Sequence, residues 1–78
     1  MTKEEFLKNF AGQFDETDHS LIQLETKFRS IGEWSSMIAL VIIAMVDEKY
    51  GAVLTGDEIR ASETVEDIYK VVSSKVTK

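Results

Sequence analysis

An all-α bundle of three substantial helices and one short one is what this 78-residue sequence predicts, and three observations carry the prediction. Apolar residues recur at helical spacing in three separate stretches. Each of these, and one shorter stretch, begins at a hydroxyl residue suited to capping a helix. The chain holds no proline, and its turns are written in Gly, Asp, Ser and Thr. Seventy-eight residues make one domain, residues 1–78, near the lower size limit for an unaided hydrophobic core.

The first helix starts at Thr2. Glu5 three residues on completes a capping-box pattern, and Glu4 and Glu5 place acids in the positive first turn. Phe6, Leu7, Phe10, Ala11 and Phe14 form an apolar stripe, which the pattern assigns to the core. Residues 15–20, DETDHS, read as a polar loop with His19 in solvent. Residues 21–28 show no sustained period. A long first loop is expected there, anchored through Leu21, Ile22, Leu24 and Phe28, with at most a short turn of helix. Gly32 permits a tight turn before Trp34, which sits where a staple residue pins the start of the next helix.

Residues 35–50, SSMIALVIIAMVDEKY, are the centre of the chain. Two hydroxyl residues precede ten uninterrupted apolar ones, residues 37–46, and Gly51 can take the left-handed conformation that ends a helix. The β-branched Val41, Ile42, Ile43 and Val46 make a buried strand the rival reading. Length, the two caps and the interleaved Ala39, Leu40, Ala44 and Met45 decide for a helix over Ser36–Tyr50, about 22 Å long. Ala39, Ile42, Ile43, Val46 and Tyr50 supply its core stripe. Met37, Val41 and Ala44 lie on another side, in line with Glu48. So short a chain has little protein to wrap such a helix completely, and part of it is expected to meet a partner.

Residues 52–54, Ala-Val-Leu, read as an apolar anchor. Thr55 with Glu58 then caps a helix of one or two turns, the short third one. Thr64 with Asp67 caps the last helix, whose apolar face is Val65, Ile68, Tyr69 and Val72. Val71 and Val76 lie beside that face, and the lysine-bearing tail is expected to fray.

The net charge of −5 is unevenly placed: residues 1–67 hold all 14 acids and six of the nine bases, a balance of −8. Such a body repels phosphate backbones and anionic lipid, so neither nucleic acid nor membrane is expected as a partner. Basic protein surfaces are its complement. The apolar run is too short to span a bilayer and lies mid-chain, unlike a signal peptide. A soluble, cytoplasmic monomer is expected.

No enzyme is expected either. The chain has no cysteine, one histidine and no glycine-rich phosphate loop. Its adjacent carboxylates, Asp47-Glu48 and Asp57-Glu58, point about 100° apart on a helix and read as solvated surface. The acids of residues 15–18 lack the glycine and terminal glutamate of a calcium loop. Two features exceed what folding requires: a hydroxyl at the head of the most apolar helix, and apolar surface beyond core needs. Capping explains Ser35 and Ser36 by itself. The sharper reading makes one of them a covalent attachment point, since a phosphodiester there would meet free amides and the positive end of the macrodipole.

Residues 28–50, FRSIGEWSSMIALVIIAMVDEKY, resemble the modification-site region of the acyl carrier proteins. That family reads as an aromatic, a leucine or isoleucine followed by glycine, then Asp-Ser-Leu or Asp-Ser-Met. An apolar helix follows, ending in an acidic turn and Phe/Tyr-Gly. Downstream, Thr64-Val65-Glu66-Asp67-Ile68 is similar to the family's Thr-Val-x-Asp-Leu, and the Phe6/Phe10 helix extends the likeness over nearly the whole chain. The resemblance implies a four-helix bundle of acyl-carrier-protein type with a short third helix. It also implies 4′-phosphopantetheine esterified to the motif serine, here Ser36, with acyl groups carried as thioesters on the arm.

The implied partners are a phosphopantetheinyl transferase and the acyl-transferring and condensing enzymes of fatty acid, lipid or polyketide-type synthesis, with basic docking surfaces. Ser35 stands at the family's aspartate position and offers a basic transferase no charge, so slower modification, a dedicated transferase or none is expected. The family's recognition helix mixes acids into its exposed face, whereas this one reads Met37, Val41 and Ala44 before Asp47 and Glu48. More hydrophobic docking is expected, with Ser35 beside the site and Asp47, Glu48 and Glu33 as an electrostatic rim. That favours a specialised pathway over bulk fatty acid synthesis. A peptidyl carrier is disfavoured because its Gly-Gly-x-Ser approach is missing. The alternative is a carrier-like bundle that never takes the arm and acts as a protein-interaction module.

Overall fold

The structure, a computed structural model, describes residues 1–76. Among them are four α-helices and no strand: α1 Lys3–Ala11, α2 Ser36–Tyr50, α3 Gly56–Ala61 and α4 Val65–Val76. The long first connection carries two 3₁₀ turns, His19–Leu21 and Phe28–Ser30. Its only ladder-like contact among the described residues is a single antiparallel bridge between Lys27 and Thr64.

Each helix starts where its hydroxyl residue stands. Thr2 accepts from the Glu5 amide at 3.1 Å. Thr55 and Glu58 close a full capping box, each side chain taking the other's backbone amide. Thr64 and Asp67 do the same, and Asp67 also accepts the Glu63 amide. Those amides hold the Asp67 carboxyl below the usual carboxylate range. α2 ends at Gly51, whose φ of 65° is left-handed and whose amide bonds back to the Asp47 carbonyl at 3.0 Å.

Aromatic rings run through the core along α2, from Trp34 before its start to Tyr50 at its end. Phe6, Phe10, Phe14 and Phe28 are buried. Phe6 meets Tyr69 edge-on at 5.7 Å between centroids, and Phe10 meets Phe14 at the same separation. Ile42, Met45 and Val46 of α2 and Val65, Ile68 and Val72 of α4 complete it. α1 packs on α2 and α4, and the short α3 bridges α2 and α4 at the other side. Asn9 donates to the Tyr50 hydroxyl at 2.7 Å, tying α1 to the end of α2.

Some expectations change. Leu21 and Val53 are exposed, not anchors: Leu21 ends the 3₁₀ turn His19–Leu21 and Ile22 is buried in its place, while the chain at Val53 alternates sides and buries Ala52 and Leu54. Met45, left out of the expected core stripe, is buried, while Ala39, Ile43 and Tyr50 are only partly covered. In the tail, α4 runs to Val76, and Lys75 donates to Glu58 at 2.8 Å and to the Val53 carbonyl. The remainder of that tail, residues 77–78, lies outside the described residues.

Candidate functional site

The site grows from the approach to α2. Trp34 is half-buried, 4.7 Å from the Phe28 ring and stacked at 6.4 Å on Phe14. Arg29 stacks over Phe28, 4.8 Å from its centroid, and donates to the carbonyls of Ile59 and Ser62 at the end of α3. Glu33 faces the other way. Its carboxylate accepts the amides of Asp15, Glu16 and Thr17 and the Thr17 hydroxyl, at 2.8 to 3.1 Å. Desolvation works against its charge, but the bonds from Thr17, Glu16 and Asp15 outweigh that and hold the carboxyl below its usual range. Glu33 is therefore a clamp on the first loop and not part of a docking rim, which corrects the sequence-based expectation.

The chain then delivers two serines with different tasks. Ser35 is extended, at φ −157° and ψ 172°, and its hydroxyl accepts the Ile38 amide at 3.2 Å. Ser36 is the first residue of α2, is exposed, and makes no side-chain hydrogen bond among the described residues. Its hydroxyl is thus free to react. The Ala39 amide returns to the Ser35 carbonyl at 3.0 Å, which leaves the Ser36 and Met37 amides as the open donors of the first turn. No acid lies in that turn. A phosphodiester on Ser36 would find donors and a favourable dipole there, and no competing carboxylate, so these residues fit the group the sequence implies.

Beside Ser36 the helix exposes apolar side chains: Met37 at 73%, Leu40 at 65% and Val41 at 36% of their full area. Ala44, Asp47 and Glu48 are exposed along the same helix. All seven expected site residues, from Ser35 to Glu48, are thus at the surface of α2 or its cap. Leu40 was missed by the sequence reading. Its signal was present, since it falls outside the core stripe and one turn from both Ser36 and Met37.

Between α2 and α3 a cleft of about 520 Å³ opens at Ser36, walled by Trp34, Ala39, Leu40, Ile43 and Ile59. Among the described residues no group of three His, Asp or Glu side chains could hold a metal ion, and no helix is long and apolar enough to cross a membrane. No family model, curated protein or solved structure matches the chain.

Proposed function

We propose that this chain is an acyl carrier, with 4′-phosphopantetheine esterified to Ser36 and acyl groups borne on the arm as thioesters. The observation that carries the reading is the free, exposed Ser36 hydroxyl, placed between a surface apolar strip and an open cleft of about 520 Å³. Ser35 fixes the first turn while leaving its neighbour's oxygen unengaged. The arm, when present, supplies a thiol. The protein supplies position: amides of Ser36 and Met37 for the phosphodiester, and apolar walls that keep a short acyl group from water.

The chain does no catalysis in this reading. A phosphopantetheinyl transferase installs the arm from coenzyme A, and acyl-transferring and condensing enzymes act on its load in the cytoplasm. They dock on Met37, Leu40, Val41 and Ala44, with Asp47 and Glu48 answering basic residues at the edge of the contact. The fold accords with a carrier bundle: a capped, exposed-serine helix, a short α3 and an anchored first loop.

The deciding experiment is intact mass after incubation with coenzyme A and a broad-specificity transferase. One added phosphopantetheine, lost in Ser36→Ala, is expected. No added mass with several transferases refutes the reading. That outcome favours the second one, an interaction module using the same α2 face, for which the uncharged first turn of α2 speaks.

A further inference from the structure

The exposed face of α2 has a spacing of its own. Met37, Leu40, Val41, Ala44, Asp47 and Glu48 are all exposed, and they recur at alternating steps of three and four residues. That is the spacing of the a and d positions in a helix that lies along another helix. At 100° per residue the six occupy an arc of about 120°, a single face. Its four apolar members are also symmetric. Their intervals of three, one and three residues read the same from either end, about a centre between Leu40 and Val41. A patch that matches itself after a half-turn is what a two-fold interface between identical chains requires.

Two copies of α2 laid antiparallel about that centre set Met37 of each against Ala44 of the other, and Leu40 against Val41. A large side chain thus meets a small one at each end of the strip, and two of similar size meet at its middle.

Charge complements the same pairing. α2 carries no acid in its first turn and two, Asp47 and Glu48, in its last, with Lys49 as the one base there. That is the reverse of what the helix dipole favours at each end. Neither acid has an ion-pair partner among the described residues. In the antiparallel pair both acids come level with residues 33–34 of the second copy. They then lie just ahead of the open Ser36 and Met37 amides, at the positive end of the facing helix. Glu33, the acid at that level, is turned to the first loop, where the amides of Asp15, Glu16 and Thr17 engage it.

We infer that a second copy of this chain covers the apolar face of α2, forming an antiparallel, two-fold dimer centred between Leu40 and Val41. Four apolar side chains from each copy fall well short of the roughly 800 Å² per partner of a stable interface. A net charge of −5 on each copy opposes the approach as well. The dimer is therefore weak, with a dissociation constant on the order of 0.1 mM, and the monomer expected from the sequence is one side of that equilibrium. The inference does not rest on the carrier reading. If that reading holds, the strip serves either a second copy or a partner enzyme, never both at once.

Sedimentation equilibrium from about 10 µM to about 1 mM brackets that constant. The average mass is expected to climb from that of one chain toward that of two. Leu40→Glu sets a carboxylate against Val41 in both copies and should weaken association about tenfold or more. Its melting curve should stay at that of the parent, because Leu40 is 65% exposed. Register is tested by cross-linking, which the absence of native cysteine keeps free of background. Met37→Cys and Ala44→Cys, mixed and treated with oxidised glutathione, should form the 37–44 disulfide about tenfold faster than either variant pairs with itself. Two copies of residue 37 stand roughly 10 Å apart along the paired helices, beyond a disulfide's reach. A mass that stays at one chain up to about 1 mM overturns the inference. So does association that survives Leu40→Glu, or a 37–37 disulfide as fast as the mixed one. Loading of Ser36 is read separately, by intact mass, so either proposal can fail without the other.

Discussion

Ser35 is the position where a one-residue change should separate helix capping from transferase recognition. Its hydroxyl accepts the Ile38 amide at 3.2 Å, and the first turn of α2 holds no acid. Ser35→Ala removes the acceptor and leaves that amide to water, at a cost of about 1 kcal/mol. Ser35→Asp keeps an acceptor in the same extended backbone and adds a negative charge at the positive end of the helix, a gain of about 0.3–1 kcal/mol at low salt. In a domain of this size 1 kcal/mol moves the melting temperature by about 4–8 °C, so the alanine variant should melt lower by that margin and the aspartate variant slightly above the parent.

Circular dichroism melts at two salt concentrations are the assay. Only the aspartate gain should shrink with salt, and it should vanish at acid pH as the new carboxyl protonates. Equal melting of Ser35→Ala and the parent would refute the capping argument. A salt-independent gain in Ser35→Asp would refute the dipole argument. The same pair bears on function: Ser35→Asp should be pantetheinylated faster than the parent, because it offers charge to a basic transferase, whereas Ser35→Ala should not be.

Acid should loosen the protein through Glu33 and Asp67, whose folded carboxyls are held below the ordinary range by hydrogen bonds. A lowered folded value means that the stability they confer is complete above the ordinary carboxylate range of about pH 4–4.5 and is lost as pH falls through the folded values. Glu33→Gln should flatten that acid limb in a fluorescence titration that follows Trp34; an unchanged curve would show that the clamp on residues 15–17 is not formed in solution. Gly51→Ala, which forces a side chain into φ 65°, should cost about 1 kcal/mol by chemical denaturation. Ile42→Ala, at a fully buried position, should cost about 2–5 kcal/mol. Its neighbour Val41→Glu should leave the melting curve in place and weaken binding of an acyl-transferring or condensing enzyme; unaltered affinity would misplace the docking face.

Much of this was legible in the chain because it is local. Helix starts were set by Thr2, Ser35, Thr55 and Thr64, whose partners lie three residues away, and the end of α2 by a glycine that alone tolerates its backbone there. The contacts that sequence could not supply join distant segments. Glu33 looked like a surface acid because nothing in its neighbourhood reveals that the amides of Asp15, Glu16 and Thr17 converge on it. Arg29 looked like loop polarity until α3 brought two carbonyls to it. Leu21 and Val53 have the hydropathy of anchors, but Leu21 ends a 3₁₀ turn that lies on the surface and Val53 sits in a stretch whose alternate side chains face opposite ways.

The central helix shows why its uniform hydrophobicity gave an ambiguous signal. A helix apolar all round cannot be amphipathic, and periodicity alone cannot say which face the bundle covers. Packing decides it here: Ile42, Met45 and Val46 face α1 and the aromatic core, while Met37, Leu40 and Val41 face out beside Ser36. Exposed methionine, leucine and valine add nothing to folding, and acids at those positions would serve solubility better. Their concentration within two turns of a free hydroxyl is what the proposed carrier reading uses as its docking face. The same reasoning ties the clamp of Glu33, the stacking of Trp34 and the fork of Arg29 to one effect. They brace the segment leading into α2 from both sides, and on the carrier reading proposed above this fixes the platform from which Ser36 meets a transferase.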